Sequence, residues 1–275
     1  MTFAFEYGPL VIALLMAGFI AGFAGGLFGV GGGIVTTPAF YAVFQTLGFD
    51  DEISLKTAIG TSLAVIIVTS LRSLAAHHRA GSVDGDMLRA WAPWIAAGAA
   101  IGGLAVRWAP AEILAVIFVS GAFYVAWRRL FSRKKAPPAP LNLMRKRMKI
   151  PLGLGTGLFS SLMGIGGGAL GVMVMTLSGR SMHQAIATSA GFGVAVAAPA
   201  VIGFIISGWG LAGTPFSSIG YVNIAAFTAT ALTAGFAAPL GARAAHRLNA
   251  DILSKIFGVY VLIAAASLAW DIFWG

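Results

Sequence analysis

Residues 9–28 run through apolar and glycine positions without one charged side chain, and comparable stretches recur along the chain. About 20 apolar residues in helical form cross the hydrocarbon core of a bilayer. Backbone polar groups in lipid must pair within their own segment, which favours helices. Only 10% of the 275 residues are charged, 58% are hydrophobic, and the mean hydropathy is +0.88. A soluble domain carries roughly 25% charged residues, so this chain cannot cover a water-facing surface but can cover a lipid-facing one. The spacing of the stretches predicts an all-α membrane protein with about eight to ten transmembrane elements. No basic region precedes the first stretch and no small-residue cleavage site ends it, so it is expected to be retained. Thirty-seven glycines suit close helix packing in membranes. The absence of cysteine excludes disulfides and thiolate metal sites.

The elements are predicted at residues 9–28, 33–47, 53–76, 88–107 and 111–131, then at 150–164, 167–177, 182–207, 219–242 and 250–270. These two sets repeat each other. GGLFGVGGG at 25–33 matches SSLMGIGGG at 160–168, and KTAIGTSL at 56–63 matches HQAIATSA at 183–190. GSVD at 81–84 matches GYVN at 220–223, and PAEILAVIF at 110–118 matches NADILSKIF at 249–257. Four matches in one order indicate a tandem duplication, with a first repeat at 1–131, a linker at 132–149 and a second repeat at 150–275.

Loop charge orients the halves. From Arg128 to Lys149 the chain holds nine Lys and Arg residues, no acid and three prolines. Basic loops favour the cytoplasmic side, so the net charge of +9 is read as membrane orientation rather than nucleic-acid binding. Arg180, His183, Arg243, His246 and Arg247 share the linker's side, as do His77, His78, Arg79 and Arg89; Asp50, Asp51 and Glu52 fall on the other. An odd number of crossings per half satisfies the pattern. The expected arrangement is two inverted-topology repeats with both termini periplasmic.

The paired glycine runs are the main site candidates. Gly31, Gly32 and Gly33, with Gly166, Gly167 and Gly168, interrupt segments too short to span. The elements after them would extend roughly 22 and 17 Å against a core of about 30 Å. Glycine-broken or re-entrant helices are expected, their tips inside the membrane and facing protein or a water-filled cavity. A helix start offers unpaired N–H groups and a partial positive charge, and glycine lets an anion approach them. Two such tips would meet near the midplane, as in inverted-repeat transporters. The alternative is that the glycines only permit tight helix crossing.

Thr61–Ser62 and Thr188–Ser189 recur inside the third element of each half, where hydroxyls could donate to an anion. Such hydroxyls also bond back to a carbonyl one turn earlier. Thr36 and Thr37 follow the first glycine run, without counterparts in the second. Lys56 and His183 occupy equivalent positions at the mouths of the third elements and could draw anions into opposite vestibules, or act as interfacial snorkelling residues. Arg72 is the most membrane-embedded arginine candidate, for gating or at the interface. No acid sits at the centre of a predicted span, and no HExxH or GxSxG motif occurs. The chain is therefore expected not to be an enzyme and to need neither metal nor cofactor.

GFAGGLFGVGGGIVTTPAF, LKTAIGTSL and HHRAGSVD resemble the first half of the TauE/SafE sulfite exporter family, and GLFSSLMGIGGG with AIATSA resembles its second half. The resemblance covers nearly the whole chain, linker included. In the family a proline usually follows the first glycine run directly; here Pro38 comes only after IVTT. The resemblance implies a transporter of sulfite, sulfoacetate or related organosulfur anions in the bacterial inner membrane. The expected partners are that small anion and the bilayer, with a homo-oligomer open. A passive anion channel and a non-transporting membrane scaffold are the rival readings.

Overall fold

The computed structural model describes residues 2–131, 145–245 and 247, with scattered residues between 255 and 270. Most of the predicted linker and of the last predicted element lies outside these. The described helices are α1 (Thr2–Phe28), α2 (Gly33–Thr46), α3 (Asp51–Arg79), α4 (Gly85–Ala105), α5 (Ala111–Phe131), α6 (Lys146–Leu162), α7 (Gly168–Leu177), α8 (Met182–Ser207) and α9 (Ile224–Ala245). Four stretches, Gly8–Phe28, Asp51–Arg79, Met182–Ser207 and Ile224–Ala245, are long and apolar enough to cross a membrane. The chain is an all-α membrane protein.

Local chemistry sets the helix ends. The Asp50 carboxylate accepts from the Glu52 amide at the start of α3, with Asp51 and Glu52 in the first turn and His77, His78 and Arg79 in the last. Both ends complement the helix dipole. Ser181 and Gln184 form a capping box at α8. The prediction differs most at 219–242. Residues Ser218–Ile219 (β1) and Val222–Asn223 (β2) pair as a small antiparallel hairpin, and the helix begins only at Ile224. Gly220 turns the hairpin in the left-handed region, at φ 58°. The Asn223 side chain amide donates to the Phe216 carbonyl, and its oxygen caps the Ala226 amide at 2.9 Å. A polar side chain able to satisfy both loop and helix start stops the helix there.

Glycine contacts reveal helix direction. Along α1, Gly18, Gly22 and Gly26 rest on Thr230, Ala234 and Ala238 of α9. The numbers rise together, so α1 and α9 run parallel. Gly153 and Gly157 of α6 rest in the same way on Trp94 and Ile95 of α4. Gly60 of α3 lies beside Phe204 of α8, while Ser70 lies beside Gly193, so α3 and α8 are antiparallel. The Asn223 amide at the start of α9 meets Thr61 and Gly235 lies beside Val68, numbers that rise together, so α9 runs parallel to α3. Each half lends its first helix to the fourth helix of the other. Helices α1, α3 and α9 share one direction, and α4, α6 and α8 the opposite one. Small residues drive these pairs because close backbone approach maximises dispersion where burial from water gives no gain.

Candidate functional site

The polypeptide turns inside the bundle at both glycine runs. Gly29, Gly31 and Gly32 have φ of 67°, 81° and 88°, a region costly for side-chain-bearing residues. α2 then runs back past Ser62 toward the start of α3, where the Ser54 hydroxyl donates to the Phe49 carbonyl. With 14 and 10 residues, α2 and α7 extend about 21 and 15 Å, so neither spans a hydrocarbon core.

The two tips touch reciprocally. A methyl group at Gly33 would overlap the Gly164 carbonyl, and one at the equivalent Gly168 would overlap the Gly29 carbonyl. Gly166 lies against Val30 and Ile66, and Gly167 against Phe192 and Val196. Sequence reasoning placed the glycine runs together, and the fold brings them into backbone contact.

The predicted hydroxyls divide into three groups. Thr36 and Ser62 join the tips: their hydroxyl oxygens lie 2.7 Å apart, and Ser62 donates to the Gly164 carbonyl at 3.2 Å. Ser189 bonds back to the Ala185 carbonyl at 2.5 Å, the local option for a helical serine. Thr61 and Thr188 act across the halves. The Thr61 hydroxyl oxygen accepts from the Asn223 amide, and that of Thr188 from the Asp84 amide, both at 2.9 Å. Each clamps the start of the other half's fourth helix.

Three further predicted residues lie at the edges. Lys56 is buried, donates to Glu52 at 2.6 Å and lies 5.8 Å from the Tyr221 ring centre. His183 is exposed at the start of α8. Arg72 is exposed on the flank between α3 and α9, where its Nε donates to the Gly235 carbonyl at 3.1 Å, outside the tip contacts.

Four residues of α3 that the sequence does not mark as site candidates, Thr69, Ser70, Ser73 and His77, join Ser62 on one buried polar face. Ser62, Thr69, Ser70, Ser73 and His77 are each at most 1% exposed and recur at helical spacing on one side. Thr69 donates to the Gly31 carbonyl at 2.7 Å, and His77 Nε2 lies 3.1 Å from the Gly26 carbonyl. Among the described residues Ser70, beside Gly31 and Gly193, has no hydrogen-bond partner; nor does Thr37, beside Gly164. The matching positions of α8 after Ser189 are Val196, Ala197, Ala200 and Phe204. The spacing was a legible signal, masked because lone Ser and Thr residues are common in membrane helices.

The Thr188 clamp continues into an ion pair. Asp84 caps the Met87 amide at 3.0 Å and accepts from Arg180 Nε at 2.7 Å. Burial pushes the Asp84 carboxyl up, but the Met87 amide and the Arg180 guanidinium outweigh it and hold it below its ordinary value of 3.8. A depressed folded-state value stabilises fully above the unfolded value and is lost as pH falls through the folded one. Asp84→Asn, the residue the second half carries at Asn223, should therefore lower the unfolding temperature slightly at pH 7. That difference should vanish in acid below the ordinary carboxylate range. A difference that grows on acidification would disprove the assignment.

A bundle of membrane-length helices with buried hydroxyls around two backbone tips fits one class of protein, the membrane transporters. The sulfite exporter TauE/SafE family model matches residues 14–268, and the chain belongs to that family. A probable membrane transporter protein of Haemophilus influenzae is 33% identical over 94% of this chain and 97% of its own length. One of Methanocaldococcus jannaschii is 28% identical over 93% of this chain and 95% of its own. A third, of Bacillus subtilis, is 26% identical over 94% and 97%. No solved structure gives a significant match.

Proposed function

We propose that the protein is a secondary transporter that moves small sulfur-containing anions, such as sulfite or an organosulfonate, by alternating access. The carrying observation is the pair of buried, unpartnered hydroxyls, Ser70 and Thr37, at the glycine tips. A buried polar group without a partner is costly, and an oxyanion moving past the tips would accept from each of the two in turn. Gly31, Gly32, Gly33, Gly166, Gly167 and Gly168 supply the close backbone approach, with Thr36, Ser62 and Ser189 around them. The reciprocal Gly33–Gly164 and Gly168–Gly29 contacts would close the site between its two open states. The opposed directions of equivalent helices support two inverted repeats. The basic ends of α3 and α6 support a cytoplasmic linker and periplasmic termini in an inner membrane. In this reading the protein is not an enzyme and uses no metal or cofactor.

Purified protein screened by thermal shift against sulfite, sulfate, thiosulfate, sulfoacetate and small carboxylates should be stabilised by a sulfur oxyanion. Ser70→Ala and Thr37→Val should each weaken that ligand by about 1.5–3 kcal/mol, roughly 10- to 100-fold in Kd. Unchanged affinity in both variants would remove the tips as the binding site. Counterflow in proteoliposomes decides the mechanism: trans-stimulation by unlabelled substrate is expected, and its absence during flux would indicate a passive channel.

A further inference from the structure

We propose that the groove between α3 and α9 holds an anionic phospholipid, its headgroup phosphate seated among Arg72, Arg79 and Arg243. These arginines line one cavity of about 230 Å³ with Ala75, Ala76 and Pro239. Among the described residues the lining contains no carboxylate and no ion pair reaches any of the three. Three uncompensated guanidiniums around one space repel each other unless an anion joins them, and a phosphate accepts their N–H groups in bidentate fashion.

The local backbone explains why Arg72 points there. Pro239 has no N–H, so the Gly235 carbonyl one turn earlier loses its helical partner. Arg72 Nε fills that vacancy at 3.1 Å, and Arg243 Nε donates to the Pro239 carbonyl at 3.3 Å. Both side chains are thereby held in the groove by Nε, leaving their terminal nitrogens available.

The same groove suits lipid chains beyond its basic end. On α9, Leu232 and Phe236 precede Pro239 and Arg243 on one helical stripe and are 69% and 65% exposed. On α3, Leu71 is also exposed. Arg79 and Arg243 lie at the helix ends, with Arg72 about 10 Å deeper at helical rise. The groove is thus apolar toward mid-membrane and cationic at the headgroup level, the polarity order of a phospholipid. A basic pocket between transmembrane helices is a recognised kind of anionic headgroup site. This assignment does not depend on which solute the glycine tips carry.

Native mass spectrometry of the full chain, incubated with phosphatidylglycerol, phosphatidylcholine or inorganic phosphate, tests it. Wild type should retain phosphatidylglycerol in preference to phosphatidylcholine. The Arg79→Gln/Arg243→Gln variant, altered at two exposed positions, should retain it roughly tenfold less. Arg72→Gln should do likewise, while Arg89→Gln/Arg145→Gln, basic positions outside the groove, should match wild type. Equal retention by all variants, equal loss in the control, no preference for the anionic lipid, or capture of inorganic phosphate with no retained lipid would each overturn the proposal.

Discussion

Gly33→Ala and Gly168→Ala are each expected to abolish transport by protein that still inserts in the membrane. The added methyl would overlap the carbonyl of Gly164 or of Gly29, backbone atoms that cannot rotate away as a side chain could. Overpacking of this kind costs about 1–3 kcal/mol or more in a close-packed interior. Here that cost falls on the contact that holds the two tips together. The tips should be forced apart, so the closed arrangement through which alternating access must pass becomes too rare to sustain flux. Gly155→Ala, where an added methyl meets nothing within 4 Å, is the matched control and should transport normally. Radiolabelled anion uptake into proteoliposomes reads the result. Full flux in both Gly33→Ala and Gly168→Ala would end the role of the tips in transport.

Thr61→Val combined with Thr188→Val should produce the largest loss of stability. Valine keeps the shape and removes the acceptor, leaving the Asn223 and Asp84 amides unpaired at the starts of α9 and α4. An unsatisfied buried N–H costs about 1–3 kcal/mol, and well-separated sites add. The Thr61 change should be the larger, since Asn223 is buried and Asp84 only partly so. The fluorescence-monitored unfolding temperature of each single variant and of the double variant measures this. A double variant as stable as wild type, but with weakened anion binding, would instead make these threonines ligand donors.

Much of this architecture was readable in advance. Apolar stretches and glycine breaks located the helices, and the boundaries at 111–131 and 182–207 coincide with α5 and α8. The hairpin at Ser218–Asn223 escaped notice because it is set by Asn223, whose side chain satisfies loop and helix together. Ser70 and Ser73 were passed over for a different reason. A serine in an apolar helix looks the same whether it bonds back to its own turn or faces a neighbour that offers no partner.

The helical character of the chain and the approximate places of its helices follow from the sequence alone, because hydrophobic period and glycine placement are local properties of the chain. Which hydroxyl holds a helix and which stays unpaired was decided by the tertiary structure. Thr61 and Ser62 are adjacent and chemically alike, yet one turns to the Asn223 amide and the other to the Gly164 carbonyl. The helical rotation of about 100° between neighbours directs them to different partners, far apart in the chain, that only packing brings within reach.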